Sequence, residues 1–188
     1  MSNRVVNRTF PNRITACLGT FHKLDNALCV SVNHTSQYRL VRLVFRLISR
    51  LGDGIFWYGI MAGILMSQGY AGLQPVIHML IAGLTGTLLY KWVKSKTVRP
   101  RPYQVRQDIW LTGKPLDHFS FPSGHTLHAV VFSSVALAYF PGMAWLVIPF
   151  TGLVGMSRVI LGLHYPSDVA AGALLGALIA GLSMMIVF

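Results

Sequence analysis

Charged residues are scarce in this chain. Asp, Glu, Lys and Arg make up 11% of its 188 residues, whereas they make up about 25% of a soluble globular domain. Acidic residues are scarcer still, with 5 Asp and Glu against 16 Lys and Arg. The low charge argues against a water-soluble protein. The basic excess indicates an anionic partner: nucleic acid, an acidic membrane surface or a phosphorylated substrate.

Cysteine is also rare, since Cys17 and Cys29 are the only two in the sequence. At most one disulfide can form, and we expect unpaired thiols because an apolar helical domain does not require a covalent crosslink. The stretch Ile14–Phe21 follows several arginines but lacks the cleavage pattern of a signal peptide. We therefore expect one membrane-embedded domain over residues 1–188, in which residues 1–23 form a basic N-terminal tail.

Long apolar segments are abundant. A membrane-spanning helix needs about 20 mostly apolar residues, with about 17 as a minimum. Five segments meet this requirement: Gly54–Tyr70, Leu73–Trp92, Gly124–Phe140, Met143–Ile160 and Val169–Phe188. Very short links join the first two and the next two, which predicts two antiparallel hairpins. The predicted fold class is all-α, an integral membrane helical bundle with five transmembrane helices, or six if residues 10–37 supply another.

Residues 38–51 predict an amphipathic helix that is too short to span, because at about 1.5 Å per residue it reaches only about 21 Å. Its two faces carry different residues. One stripe contains Arg39, Arg42, Arg46 and Arg50, and another contains Leu40, Leu43, Val44, Leu47 and Leu51. We favour an interfacial helix that lies among anionic headgroups. The alternative is an ordinary amphipathic helix that packs on the bundle with its arginines in solvent.

The basic residues do not form the pattern of a nucleic-acid interface. They are divided mainly between this helix and residues 91–114, and neither region contains a base-stacking platform or a recognised nucleic-acid motif. We therefore expect the partners to be membrane lipids and a phosphorylated lipid substrate, with no nucleic acid. The oligomeric state is not indicated by the sequence.

Three polar segments are expected to meet on one face of the membrane: residues 91–121, residues 122–125 at the start of the third span, and residues 157–168. Residues 91–121 link the second and third predicted spans, and residues 157–168 link the fourth and fifth. An even number of crossings separates these links, so they lie on the same side. Ser123 occupies the N-cap position of the third span and Gly124 leaves its backbone open, so free N–H groups and the helix dipole would favour an anion there.

The residues in these segments match a family pattern. Its three parts are Lys94 with Arg101-Pro102, then Pro122-Ser123-Gly124-His125, then Ser157-Arg158 with His164 and Asp168. In order and spacing they resemble the three signature motifs of the type 2 phosphatidic acid phosphatases. The resemblance implies a membrane bundle that removes phosphate from a lipid. Membrane members usually have one more spanning helix before the amphipathic region, which residues 1–23 are too polar to supply.

The predicted phosphate site consists of five residues. A phosphoryl group in transfer spreads charge over three equatorial oxygens, so the site needs several fixed donors. We assign this role to Lys94, Arg101, Ser123, Gly124 and Arg158. Arg99 also precedes a proline, but the spacing to Lys94 selects Arg101. With these cations present, we expect neither a metal ion nor a cofactor.

The predicted catalytic residues are His164, His125 and Asp168. Asp168 lies one helical turn after His164 and can accept a hydrogen bond from one ring nitrogen, which leaves the other as a lone pair for attack on phosphorus. His125 then protonates the leaving oxygen and later activates the water that hydrolyses the phosphohistidine. The resemblance implies the same assignment. His128 lies one turn beyond His125 and is expected to support or pack against the site rather than to form a metal pair with it. His78 is expected to be a hydrogen-bonded interior residue.

The predicted function is hydrolysis of a phosphate monoester or pyrophosphate on a lipid of the polyprenyl, phosphatidylglycerol phosphate, phosphatidic acid or lipid A type. A phosphotransferase of the same superfamily is one alternative, because an alcohol can replace water. A transporter or flippase of anionic lipids is another, although it would place charged residues near the midplane, where only His78 lies.

The expected location is the plasma membrane, which is the inner membrane in bacteria, but two arguments disagree about the side. With five spans, all 16 Lys and Arg lie on the side of the active site. Short basic loops are retained in the cytoplasm, so the charge bias predicts a cytoplasm-facing site. The family resemblance instead implies a periplasmic one.

Overall fold

The computed structural model describes residues 13–115 and 117–187, most of which are helical. In chain order the α-helices are α1 (Arg13–Asn33), α2 (Arg39–Arg50), α3 (Phe56–Gln68), α4 (Leu73–Thr97), α5 (Pro102–Val105), α6 (Gly124–Tyr139), α7 (Ala144–Ile160) and α8 (Pro166–Val187). The one β-type pairing among the described residues is an isolated bridge between Pro100 and Phe119. The all-α prediction is confirmed.

The predicted spans correspond to α3, α4, α6, α7 and α8. Four residues join α3 to α4 and four join α6 to α7, in agreement with the predicted hairpins. Three of the described segments are long and apolar enough to cross a membrane, namely Arg39–Thr97, Pro141–Ile160 and Pro166–Val187. Because α6 has only 16 residues and α2, α3 and α4 fall within one of these segments, the count of five spans stays a prediction.

The N-terminal region differs from the prediction. Residues 13–33 form a helix, so the second half of the segment expected to be a tail is helical, and residues 1–12 lie outside the described residues. Asp25 and Asn33 of α1 are polar side chains that would be costly in lipid, and they are only 5% and 0% exposed. Both face the rest of the protein. Cys29 is a buried unpaired thiol, as expected, whereas the side chain of Cys17 is not among those described.

The amphipathic helix α2 packs through a face that the sequence pattern did not single out. Ile48 is partly buried against a core cluster that includes Phe150 of α7. Most of the predicted aliphatic stripe points away from the bundle, since Leu40 and Leu47 are 74% and 59% exposed. Leu51, at its end, packs on the same cluster as Ile48. The helix therefore contacts α7 on one side and leaves the leucine stripe available to lipid.

The main core lies between α3, α4, α6 and α8, and glycines on α8 bring two of these helices close together. A Cβ atom at Gly172 would lie 2.5 Å from the carbonyl oxygen of Ser123, and one at Gly176 would lie 2.6 Å from that of Leu127. Small residues allow this backbone approach in membrane helices. The contact holds the N-terminus of α6 against the start of α8, and both ends carry predicted site residues.

Candidate active site

All eight residues predicted for the site lie together at one end of the bundle. Six of them line a single cleft of about 730 Å³: Lys94, Arg101, Gly124, His125, Arg158 and His164. The other two, Ser123 and Asp168, are both 0% exposed and lie behind this lining. All eight come from the three polar segments that the count of crossings placed on one side of the membrane.

Lys94 and Arg101 converge on a carboxylate that the sequence analysis did not single out. Lys94 Nζ lies 2.8 and 3.0 Å from the two carboxylate oxygens of Asp117. Arg101 donates to the Asp117 carboxylate from Nη2 at 2.7 Å and to its carbonyl oxygen from Nε at 2.9 Å. These two cations can therefore bind one oxyanion together, which is the geometry a phosphate requires.

The charge of Asp117 is fixed by these partners. Burial alone would raise the pKa of its carboxyl group, but hydrogen bonds and charge from Lys94 and then Arg101 outweigh burial and hold the pKa below its usual range. The carboxylate therefore stays ionised at neutral pH. The sequence offers no local pattern that would identify Asp117, because Lys94 lies 23 residues away.

Arg158 is almost fully buried beside the cleft, with 1% of its surface exposed. Its Nη1 donates to Ser49 Oγ of α2. Its Nε is buried and has no hydrogen-bond partner among the described residues. A buried donor without a partner is costly, and this one belongs to a side chain that lines the cleft.

His164 faces Asp168, but at a distance longer than a hydrogen bond. The Nδ1 atom of His164 lies 3.6 Å from Asp168 Oδ2 and has no hydrogen-bond partner among the described residues. Asp168 Oδ2 accepts a hydrogen bond from the Tyr165 N–H at 2.9 Å. Arg101 Nη1 lies 3.4 Å from the other ring nitrogen of His164. The predicted pairing thus exists as a close approach.

The pKa of His164 lies well below its usual value. Burial is the main cause, since it disfavours the charged ring, and the positive charges of Arg158, Arg101 and Lys94 act in the same direction. The imidazole is therefore neutral at physiological pH. A neutral ring has the lone pair that a nucleophile needs.

His125 has its own carboxylate partner, Asp53. The Nε2 atom of His125 pairs with Asp53 Oδ1 across 72 residues of sequence. Asp53 lies in the π-helical turn Leu51–Ile55 between α2 and α3, where Gly54 has a φ of 137° that only glycine adopts easily. The sequence analysis missed Asp53. The Gly52-Asp53-Gly54 tripeptide was the one local sign, since glycines often mark a backbone conformation that other residues do not adopt easily.

Ser123 caps α6, as predicted. Its Oγ lies 2.9 Å from Thr126 Oγ1 and accepts a long hydrogen bond from the Thr126 N–H at 3.5 Å. The Ser123 N–H donates to the carbonyl oxygen of Asp168 at 3.0 Å. The serine hydroxyl is therefore engaged within the helix end, whereas Gly124 lines the cleft itself.

The two remaining interior histidines are hydrogen-bonded, which was predicted for His78. His128 contacts Thr87 Oγ1 at 2.9 Å and the Gly124 carbonyl oxygen at 2.8 Å. His78 contacts Tyr139 at 3.1 Å and Ser183 at 2.9 Å. Across residues 13–115 and 117–187, no group of three or more His, Cys, Asp or Glu side chains is arranged to hold a metal ion.

Comparison with known proteins identifies the family. Residues 71–188 match the PAP2 superfamily, and the chain belongs to it. The bacitracin transport permease protein BcrC of Bacillus licheniformis is 38% identical over 113 residues, which cover 56% of this chain and 52% of that protein. The undecaprenyl-diphosphatase of Sulfolobus acidocaldarius is 34% identical over 143 residues, which cover 74% and 67%.

A solved structure agrees with this assignment. The crystal structure of Aquifex aeolicus LpxE superposes with a TM-score of 0.73 at 25% identity, over 85% of this chain and 93% of that one.

The aligned part of the chain spans only about half the length of the Bacillus licheniformis relative and two thirds of the Sulfolobus acidocaldarius relative. The family resemblance drawn from the three motifs is confirmed. The apolar helices and the family both indicate a membrane protein.

Proposed function

We propose that this protein is a metal-independent phosphatase of the plasma membrane that hydrolyses a lipid phosphate monoester or pyrophosphate through a phosphohistidine on His164. One observation carries the proposal. Two histidines, each facing an aspartate, line the same cleft as three cations. A transporter or an inert lipid-binding protein has no need for such a pair of histidines.

The phosphate would be held by Lys94, Arg101 and Arg158 together with the open N-terminus of α6 at Gly124. Arg101 can offer its Nη2 donor and Lys94 a compact charge to the same oxyanion, as they already do to the Asp117 carboxylate. Arg158 has a buried Nε donor without a partner, and a phosphate oxygen would satisfy it. These charges neutralise the phosphate without a metal ion.

The reaction proceeds in two steps. His164 Nε2 attacks phosphorus as the bond to the leaving oxygen breaks, and His125 gives its proton to that oxygen. Asp168 accepts a hydrogen bond from the protonated Nδ1, and closing the 3.6 Å gap is an ordinary adjustment because such contacts tighten when substrate binds. His125 then takes a proton from water, which attacks the phosphohistidine and releases inorganic phosphate and neutral His164.

The lipid part of the substrate would occupy the apolar half of the cleft. Trp57, Leu80, Leu84 and Phe132 line it, next to the polar residues. Polyprenyl diphosphates are the first candidates for the substrate, because the relative from Sulfolobus acidocaldarius is named an undecaprenyl-diphosphatase. Phosphatidylglycerol phosphate, phosphatidic acid and lipid A phosphates are the other candidates.

Phosphate release from defined lipids tests the proposal. The full chain in detergent micelles is given undecaprenyl diphosphate, phosphatidylglycerol phosphate or phosphatidic acid, and free phosphate is measured. We expect release from at least one lipid, and an acid-labile phosphoryl label on the protein after quenching. His164→Ala is the control that should show neither. Absence of release from every lipid contradicts the proposal, and release without a label contradicts the intermediate.

A further inference from the structure

Three buried side chains form a stripe along α1. Asp25, Cys29 and Asn33 are spaced four residues apart, so they share one face of the helix. Their exposures are 5%, 0% and 0%. None of them belongs to the three motifs or to the cleft lining described above. Burial of a carboxylate and an amide in an apolar protein requires specific partners.

Each residue of this α1 stripe contacts the connection between α7 and α8, which carries His164, or a residue directly beside it. Asn33 also exchanges two hydrogen bonds with the backbone of Trp110. Asp25 accepts hydrogen bonds from the backbone N–H of Ser167 at 2.9 Å and from its hydroxyl at 2.6 Å. Cys29 Sγ lies 3.8 Å from the carbonyl oxygen of His164 itself. Asn33 donates to the carbonyl oxygen of Ile160 at 3.0 Å. The stripe therefore contacts the connection at its beginning, middle and end.

Arg99 links this stripe to the carboxylate behind His164. Its Nη2 lies 2.8 Å from Asp25 Oδ2, and its Nη1 lies 2.6 Å from Asp168 Oδ1. Its guanidinium group also lies over the ring of Tyr165, 4.1 Å from the centroid. Arg99 is not among the described residues that line the cleft. The planar guanidinium group of Arg99 therefore holds Asp25 of α1 and Asp168 of α8 in one fixed arrangement.

This arrangement determines how Asp168 faces the nucleophile. Arg99 binds Oδ1, while Oδ2 accepts the Tyr165 N–H and faces His164 Nδ1. Without Arg99 the carboxylate could rotate and turn an oxygen away from the ring. Supporting contacts of this kind hold reacting groups within a fraction of an ångström of their working geometry.

We propose that Arg99 and Asp25 are positioning residues for the phosphatase reaction, and that α1 serves to hold the His164 turn through them. Neither residue touches the substrate. The inference rests on the proposed function, because it assumes that His164 is the nucleophile. It adds two residues and one helix that lie outside the three motifs.

Arg99→Lys and Asp25→Asn test this directly, since each keeps the approximate size and removes the two-armed ion pair. We expect kcat to fall about 10- to 100-fold, as is usual when a supporting contact of a catalytic group is lost, with little change in KM. The matched controls are Arg106→Lys and Asp108→Asn, an exposed pair in the α4–α6 connection. The controls should keep wild-type kcat.

Three further measurements separate positioning from a general loss of structure. The fall in kcat should persist with an aryl phosphate, because attack rather than leaving-group protonation is slowed. The double variant Asp25→Asn, Arg99→Lys should be no slower than the slower single variant, since the two residues act as one unit. For Arg99→Ala, added guanidinium ion should restore part of kcat.

If the wild-type chain is active, several results for the variants would overturn the inference. They are an unchanged kcat in both single variants, a defect confined to KM, or a loss of activity that follows the unfolded fraction measured by thermal denaturation in detergent. If Arg99→Lys does not fold, kcat and KM of the isosteric Asp25→Asn variant decide whether the inference holds. An inactive wild-type chain would instead contradict the proposed function itself, so the two failures are distinguishable.

Discussion

At the residue scale, the use of acidic side chains is the most informative feature. The chain has five acidic residues, all of them aspartates. Each one pairs with a basic side chain: Asp25 with Arg99, Asp53 with His125, Asp108 with Arg106, Asp117 with Lys94 and Arg101, and Asp168 with Arg99. Four of these pairings belong to the site or its support. Carboxylates in so apolar a protein persist where a cation compensates their burial.

The roles of the two histidines can be separated by the choice of leaving group. His164→Ala removes the nucleophile, so we expect turnover to fall almost to zero with every substrate. His125→Ala removes the proton donor, so its defect should be about 10²- to 10⁴-fold with a lipid phosphate but much smaller with an aryl phosphate of an acidic phenol. Steady-state rates on both substrates provide the test. If the aryl substrate restores His164→Ala and not His125→Ala, the two assignments must be exchanged.

The low pKa of His164 predicts how stability depends on pH. Above pH 6.5 the ring is neutral in both the folded and the unfolded chain, whereas below it the unfolded chain binds a proton that the buried ring does not. Stability should therefore fall as the pH drops below 6.5, by up to about 1.4 kcal/mol per pH unit from this group. Thermal denaturation in detergent at pH 7.5 and 5.5 measures the effect. His164→Gln should lose less stability between these pH values than the wild type, and an equal loss contradicts the prediction.

At the element scale, the close contact of α8 with α6 and the packing of α1 on the α7–α8 connection decide the geometry of the site. Gly172 lets the start of α8 approach Ser123, and through Ser123 it positions the helix end that bears Gly124 and His125. The same part of α8 carries Asp168. Two of the three motifs are therefore held together by a helix contact in which one partner is a glycine.

Gly172→Ala should consequently reduce both stability and activity. The added Cβ would lie 2.5 Å from a backbone carbonyl oxygen, which cannot move aside as a side chain would. Overpacking of this kind costs about 1 to 3 kcal/mol. The matched control is Gly181→Ala on the same helix, where no atom lies within 4 Å of the new Cβ. Denaturation temperature and phosphate release are compared for both, and equal behaviour of the two variants contradicts the expected role of the contact.

At the scale of the whole molecule, all the groups proposed for chemistry lie at one end of the bundle, and no cluster of metal ligands accompanies them in the described residues. We expect activity to persist in excess chelator, because Lys94, Arg101 and Arg158 neutralise the phosphate. Vanadate, which adopts five-coordinate geometry, should inhibit. Phosphate release with and without a chelator provides the measurement, and a loss that only magnesium restores contradicts metal independence.

The side of the membrane that this end faces follows from charge in the five-span arrangement. All 16 Lys and Arg then lie on the side of the site, so we expect a cytoplasmic active site and a C-terminus on the opposite side. Alkaline phosphatase and a fluorescent protein, fused separately to Phe188, report the location. An active alkaline phosphatase fusion is the expected result. A fluorescent fusion with silent alkaline phosphatase supports the outward-facing site that the family resemblance implies.

The sequence by itself determined the three motifs and most of the helices, although not α1, whose first half was expected to be part of a tail. Apolar length and periodicity depend only on neighbours along the chain, so the positions of α3, α4, α6, α7 and α8 could be predicted without a structure. The predicted end of α4 at Trp92 was too early, because the helix continues to Thr97. Lysines at a helix end lower the hydropathy without breaking the helix. The even number of crossings between polar links was enough to predict that Lys94, Ser123 and His164 would meet.

Only the tertiary structure decided which side chains support these motifs. Spacing selected Arg101 over Arg99, yet both arginines contact predicted catalytic residues: Arg101 lies beside His164 in the cleft, and Arg99 binds Asp168 behind it. The pairs Asp25–Arg99 and Asp53–His125 join residues 74 and 72 positions apart, and no local pattern connects their members. Burial of α1 was missed for the same reason. A polar residue is unfavourable in an apolar segment until a distant partner is packed against it, and that partner is fixed only when the helices assemble.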